Sequence, residues 1–441
     1  MSHVFHRHCH QYLPTIASGH GMYLTDTQGK RYLDACGGAA VSCLGHHHPA
    51  VLDAIRAQLE AIPYAHTGFF TSETSEALAD ILTDLAPATI NHAYLVSGGS
   101  EAMEAALKLA RQYWVEVGQP QRQHFIARRQ SYHGNTLGAL SVGGNAWRRA
   151  PFAPLLMDTS LIAPCYAYRD QRPDETAYEY GQRVADELEA MLLEKGPENV
   201  IGFVAEPVVG ATAGALTAEA GYFTRIREIC DQYNILLILD EVMCGTGRTG
   251  RFFAFEHEHI VPDIVAIAKG LAAGYQPIGA TLVADPIYNA IANGSGFFQH
   301  GHTFMAHPTA CAAGLATLKA IQQDSLIDAA GQQGEALKAT LTHHFHSHPF
   351  VGDIRGRGLF LALELVADKA SKQPFSSTLP LAKQIKQTAL ENGLMCYPMG
   401  GTIDGKQGHH ILLAPPYIIK QPHIDEIAEK LRITLDTCLP H

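Results

Sequence analysis

Asp263-Ile264-Val265-Ala266-Ile267-Ala268-Lys269, followed by Gly270-Leu271-Ala272-Ala273-Gly274, is an apolar run that leads straight into a lysine and then into small, bend-permitting residues. The pattern describes a buried strand that delivers an amine to a sheet edge. An ammonium in such a place is costly unless its pKa falls or it becomes an imine, and lysines tuned this way form Schiff bases. Upstream, the apolar residues 235–239 end in Asp240 and Glu241, so a second strand delivers a carboxylate to the same edge. A strand-end lysine with a strand-end aspartate meets the requirements of pyridoxal phosphate, the lysine serving its aldehyde carbon and the aspartate its pyridine nitrogen.

Outward from these two strands, helical patterns alternate with short apolar runs at 93–96, 125–127, 200–205, 235–239, 264–268 and 280–284. This alternation predicts an α/β fold with a mostly parallel central sheet in a large domain, whose ligands sit at the carboxyl ends of strands. Residues 1–58 read as an N-terminal arm that forms part of a small domain, with short strands near 21–26 and 31–34 and a helix opening near Pro49. Residues 59–323 form the large cofactor-binding domain. A helix beginning near Pro308 leads to a C-terminal α+β small domain over 324–441, which holds the apolar stretch after Gly358 and the pair Pro415-Pro416.

Composition narrows the functional classes. The 441 residues carry a formal charge of −11 and no long Lys/Arg run, which argues against nucleic acid or an anionic membrane as the main partner. Nine cysteines, odd in number and never spaced C-x-x-C, suit reduced thiols. The N-terminus lacks a signal-peptide profile and no stretch of ~18 apolar residues occurs, so the expected location is the cytoplasm. Among 25 histidines, His3, His6, His8 and His10 with Cys9, and His46 to His48, invite a metal reading. Neither group has a metal-site spacing, and no metal is expected.

Three further segments fall at the same sheet edge. Ser97-Gly98-Gly99-Ser100 precedes a helical run ending near Val117, so its backbone N–H groups and the helix dipole can hold an anion such as the cofactor phosphate; a serine cap on a glycine turn has the same sequence. Tyr132-His133-Gly134 places an aromatic side chain where it can stack on a flat heteroaromatic ring, and a loop or core aromatic would read alike. Glu206, before Pro207, either hydrogen-bonds in the pocket or marks a strand exit.

Residues 239–250 (Leu-Asp-Glu-Val-Met-Cys-Gly-Thr-Gly-Arg-Thr-Gly), Pro262-Asp263-Ile264 and residues 269–279 closely resemble the signature of class III (omega) aminotransferases, which are fold type I pyridoxal-phosphate enzymes. The likeness covers nearly the whole chain, including residues 29–34, Leu44-Gly45-His46, Glu206-Pro207-Val208 and His302-Thr303. It implies that Lys269 forms the internal aldimine and Asp240 pairs with the pyridine nitrogen. Gly98, Gly99 and Ser100 then hold the phosphate, with Thr303 reaching it from the other subunit of a homodimer. Tyr132 stacks on one ring face and Val242 presses on the other. Two departures stand out. No arginine precedes Pro415-Pro416, where the loop from Gly400 to His410 offers only Lys406 and histidines. No second acid follows Glu206-Pro207 within residues 208–214, which sets the chain apart from ornithine and 4-aminobutyrate enzymes.

The expected function is transfer of an amino group from a primary amine or amino acid, of the omega-amino type, to a keto acid or aldehyde. An aminomutase, racemase or decarboxylase could use the same lysine and aspartate. A cofactor-binding regulator is the third reading, opposed by an intact Lys269 and by the lack of a segment for a DNA-binding domain.

Overall fold

Strands Val200–Ala205, Leu236–Asp240, Ile264–Ile267 and Gly279–Ala284 are buried along their whole length, so they read as continuous apolar runs. Alternate side chains still divide between the two faces of the sheet. Leu237, Leu239, Phe203 and Ile267 join one core, whereas Leu236, Ile238, Val204 and Ala266 join the core under the helix Gly99–Glu116. The computed structural model from which these positions come describes residues 3–10 and 13–440. Residues 1, 2, 11, 12 and 441, in the expected arm and at the end of the expected small domain, lie outside the described residues.

The central sheet has seven strands in the order Ile90–Val96, Gly279–Ala284, Ile264–Ile267, Leu236–Asp240, Val200–Ala205, His124–Arg128, Thr159–Ile162. Gly279–Ala284 runs antiparallel to both neighbours and the other pairs are parallel, so the sheet is mostly parallel as expected. The edge strand Thr159–Ile162 was not foreseen. It has four residues, of which only Ile162 is buried, and so leaves no apolar run to read. Gly279 answers a packing need at the centre, because a Cβ there would lie 2.5 Å from the carbonyl oxygen of Gly98.

Beyond the central sheet, the helix Pro308–Gln323 leads into Leu326–Phe345 and then a four-stranded antiparallel sheet of Val351–Arg357, Phe360–Leu365, His409–Leu413 and Tyr397–Gly400. The N-terminal strands Ile16–His20, Tyr23–Asp26 and Arg31–Asp34 form another sheet, completed by Leu394–Met395 parallel to Arg31–Asp34. Two backbone bonds, Ala414 N to Ala35 O at 2.9 Å and Tyr417 N to Cys43 O at 2.8 Å, tie the Pro415-Pro416 segment to the turn after Asp34. That turn reaches the central sheet, as its hydrogen bond with Lys269 shows below. Among the described residues no helix is long and apolar enough to cross a membrane.

Candidate active site

Strand register carries three functional side chains to one edge. Leu239 pairs with Ala205 and Asp240 with Ala266, so Glu206, Asp240 and, just past Ile267, Lys269 leave adjacent strands together. Lys269 turns away from its strand with φ of 45°, a left-handed conformation uncommon for a residue with a side chain. Its half-buried amine donates to the carbonyl oxygen of Ala39 at 3.1 Å. Burial lowers the lysine's pKa, and the negative charge of Asp240 opposes that shift.

The opposite wall is the start of the 18-residue helix Gly99–Glu116, with Gly98 as its cap. Gly98, Gly99 and Ser100 line the same cavity of about 450 Å³ as Lys269 and Asp240. A Cβ on Gly99 would stand 2.7 Å from Cγ1 of Val242, so a larger residue would push into the valine wall. Ser100 Oγ accepts the backbone N–H of Asn135 at 3.0 Å, which fixes the turn after Tyr132-His133-Gly134 against the helix start. Tyr132 and Val242 both line the cavity. The Val242 N–H donates to Asp240 Oδ1 at 2.9 Å, so one residue both braces the carboxylate and shapes the wall.

His133 is buried with its Nδ1 2.8 Å from Asp240 Oδ2, while its Nε2 has no partner. Burial works to lower the His133 pKa, but the charge of Glu206 together with the hydrogen bond and charge of Asp240 raises it above the ordinary value. Glu206 accepts the Tyr132 N–H through Oε1 at 3.1 Å, and its Oε2 is buried without a partner. Burial is the main cause that pushes Glu206 up to about 7, with Asp240 adding to it and the charges of His133 and Arg128 opposing it. Arg128 also donates to the Glu206 backbone carbonyl oxygen. The neighbouring Glu241 is pushed up to about 8 by burial, although it accepts the N–H groups of Ala254 and Phe255 at 2.6 and 2.8 Å.

A carboxyl whose folded pKa lies above its unfolded value favours the fold below the unfolded pKa, and that contribution is lost as pH rises through the folded value. For Glu206 the window runs from the ordinary glutamate value of 4.5 to about 7. Glu206→Gln is therefore expected to melt higher than the parent at pH 8, where the parent buries a charge, and to match it at pH 5. Thermal midpoints at the two pH values check this. A gap of equal size at both would show that the effect is not ionisation.

All the cofactor-site residues expected on this chain come together except Thr303. Thr303 is exposed, lies outside the cavity and is held by a bond from Tyr64 Oη to its carbonyl oxygen at 2.9 Å. Sequence reasoning missed Ala39, Val41 and Met243, the first as partner of Lys269 and the others as cavity walls. The small-residue run Gly37-Gly38-Ala39-Ala40, with φ of 58°, 69° and 62° at Gly37, Gly38 and Ala40, was the available signal for a tight turn. Among the described residues no group of three or more His, Cys, Asp or Glu side chains is arranged for a metal ion.

The donor set fits a flat, phosphate-bearing pyridine. It comprises an anion-favouring helix start, a carboxylate backed by a buried histidine, two flanking side chains and a desolvated amine. The family model for class III aminotransferases matches residues 4–435. The chain is a class III aminotransferase. An uncharacterised aminotransferase of Schizosaccharomyces pombe is 46% identical over 96% of this chain and 92% of its own length. A putrescine–pyruvate aminotransferase of Pseudomonas aeruginosa is 33% identical over 96% of this chain and 90% of its own. Among solved structures, an (S)-enantioselective omega-transaminase from Thermomicrobium roseum superposes with a TM-score of 0.92 at 33% identity, covering 99% of this chain and 96% of that one. The fold is thus that of the fold type I transaminases.

Proposed function

We propose that this aminotransferase binds pyridoxal phosphate and moves an amino group from a primary amine, through two half-reactions, to a keto acid or aldehyde. The observation that carries the reading is the arrival of the Lys269 amine and the Asp240 carboxylate, from neighbouring strand ends, in one cavity that also holds a helix start. When bound, the cofactor supplies a sink for the electrons of the substrate's broken C–H bond. Gly98, Gly99 and Ser100 would hold its phosphate with backbone N–H groups, and Tyr132 and Val242, which line the same cavity, would flank its ring. Lys269 would be the residue that attaches the cofactor, and its Nζ, in the same cavity, would move the proton at the substrate carbon. Asp240 would hold a proton at the cofactor's pyridine nitrogen, with His133 Nδ1, 2.8 Å from Oδ2, orienting the carboxylate.

A donor without an α-carboxylate is tolerated, because residues 411–414 before Pro415-Pro416 include no arginine that would demand one. The relative named for putrescine, a diamine with no carboxylate, supports the same substrate class. A donor panel tests the reading, scored by loss of the bound cofactor's visible absorbance and its recovery with pyruvate or 2-oxoglutarate. Conversion of a single amine with no keto acid present would instead mark a mutase, racemase or decarboxylase.

The active unit is a homodimer with shared sites. Thr303 lies away from its own cavity, and Phe69, Phe70, Phe297 and Phe304 are 80%, 68%, 63% and 58% exposed, aromatic side chains that a second copy would cover. Phe69→Asp with Phe70→Asp is expected to shift the protein from dimer to monomer in light scattering and to loosen cofactor retention. Retention of the parent mass and cofactor would assign that surface elsewhere. Nine free cysteines suit a reducing cytoplasm as its location.

A further inference from the structure

We infer that Arg148 receives the carboxylate of the keto-acid acceptor, an assignment that rests on the proposed transamination. A keto acid brings a carboxylate to a cavity whose lining includes no arginine, and an anion leaving water needs a charged partner at its edge. The cations near the cavity can be taken in turn. Lys269 is committed to the reacting carbon. Arg128 is buried, donates to the Glu206 carbonyl oxygen and lies over Tyr222 and Phe223. Arg149 is spent on the end of the helix Leu137–Val142, where its guanidinium donates to the carbonyl oxygens of Leu140, Ser141 and Gly143.

Arg148 differs from these. Its guanidinium carbon stands 4.6 Å from the ring centre of Tyr132, a cavity wall, and 5.5 Å from that of Trp147. Its Nε is buried without a hydrogen-bond partner, and among the described residues no side-chain hydrogen bond or ion pair engages its guanidinium. Rings that approach a guanidinium through its face leave its in-plane N–H groups free, and those are the groups that grip a carboxylate in a fork. The aromatic neighbours restrict the side chain's freedom before any ligand arrives, so little entropy remains to be lost on binding.

The backbone beneath Arg148 is held as a platform. Asn145 caps the short helix by accepting the Arg148 N–H at 3.2 Å. Gly405 packs so closely that a Cβ there would lie 3.3 Å from the Trp147 nitrogen. Gln130 ties the same loop down through the carbonyl oxygens of Gly401 and Thr402, at 2.7 and 3.0 Å. The loop that lacks an arginine thus braces the helix that has one. Asp404, the acid of that loop, is occupied by the N–H groups of Lys406 and Gln407 at 2.8 and 2.7 Å, and it forms no ion pair with Arg148.

The test compares holoenzyme variants Arg148→Met, Arg148→Lys and Arg149→Met with one amine donor and two acceptors, pyruvate and butanal. The expected result for Arg148→Met is a fall of about 10- to 100-fold in the ratio of kcat/KM for pyruvate to that for butanal, carried by KM for pyruvate, the size set by loss of a charge-assisted hydrogen bond. Arg148→Lys restores part of the ratio, because it returns the charge without the fork. Arg149→Met leaves the ratio at the parent value whatever it does to stability. Binding of propionate is read separately by the fluorescence of Trp147, one of only two tryptophans, the other being buried Trp114. Saturable quenching by propionate in the parent and its loss in Arg148→Met support the assignment even if no acceptor turns over, which would instead overturn the transamination reading. An unchanged ratio with propionate binding intact in Arg148→Met overturns the assignment.

Discussion

Lys269→Ala is expected to abolish transamination, with a rate loss on the order of 10⁴ or more, because on the proposed reading one change removes both the covalent attachment and the group that moves the substrate's proton. The cofactor is still expected to bind non-covalently, since the proposed phosphate and pyridine contacts fall to Gly98, Gly99, Ser100 and Asp240. The fold is expected to persist. The turn at Lys269 is held by main-chain bonds, Leu271 N to Ala268 O at 2.9 Å and Ala273 N to Gly270 O at 3.3 Å, and the side chain gives only one bond to Ala39. Removing a desolvated ammonium should leave the thermal midpoint equal or slightly raised. Single-turnover measurements with an amine, together with borohydride reduction and peptide mapping of the parent, check the assignment. Steady turnover by the variant, or a label on another lysine, would remove Lys269 from its role.

The lysine and aspartate were legible because buried parallel strands tolerate little besides apolar residues, so a charge at the end of one stands out. The same logic located the other strands of the central sheet to within one residue, except the start of Ile90–Val96, missed by three, and it failed at Thr159–Ile162, where a part-buried edge imposes little composition. The glycine-rich helix start was readable for a related reason. Gly99 faces Val242 at a distance that excludes a side chain, and such constraints leave glycines in the sequence.

Contacts between distant segments were not legible. Ala39 lies 230 positions from Lys269, and Arg148 meets Tyr132 across a loop and a helix, so neither pairing leaves a periodic or local mark. The two adjacent arginines show this limit well. Arg148 and Arg149 are indistinguishable by residue type, yet one caps a helix end and the other stacks on a pocket wall. His133 was placed at the right edge as a cofactor-binding residue, but its bond to Asp240 depends on how two parallel strands are interleaved with a third, since Leu239 pairs with Ala205 and Ala127 with Val204.

Asp240→Asn is expected to slow both half-reactions by ~10²-fold or more while costing little cofactor, because an amide can still hydrogen-bond the ring nitrogen but no longer favours its proton. The surroundings sharpen this expectation. In the parent, Oδ1 accepts the Val242 N–H and Oδ2 faces His133 Nδ1, so the carboxylate is oriented on both oxygens before any ligand arrives. An asparagine can keep the first bond through its oxygen. Its NH₂ would then face His133 Nδ1 and suit only the tautomer with Nδ1 unprotonated, which reverses the direction of that hydrogen bond. The charge that helps raise the His133 pKa would also be gone, leaving burial less opposed, so the His133 titration should move to lower pH. Two readouts therefore move together, the half-reaction rate and the imidazole titration followed by NMR. A variant within a few-fold of the parent rate, but with the His133 titration displaced, would show that the aspartate governs the histidine while another group sets the charge of the ring. A lowered rate with an undisplaced titration would place the ring's proton under Asp240 alone, leaving His133 a packing residue.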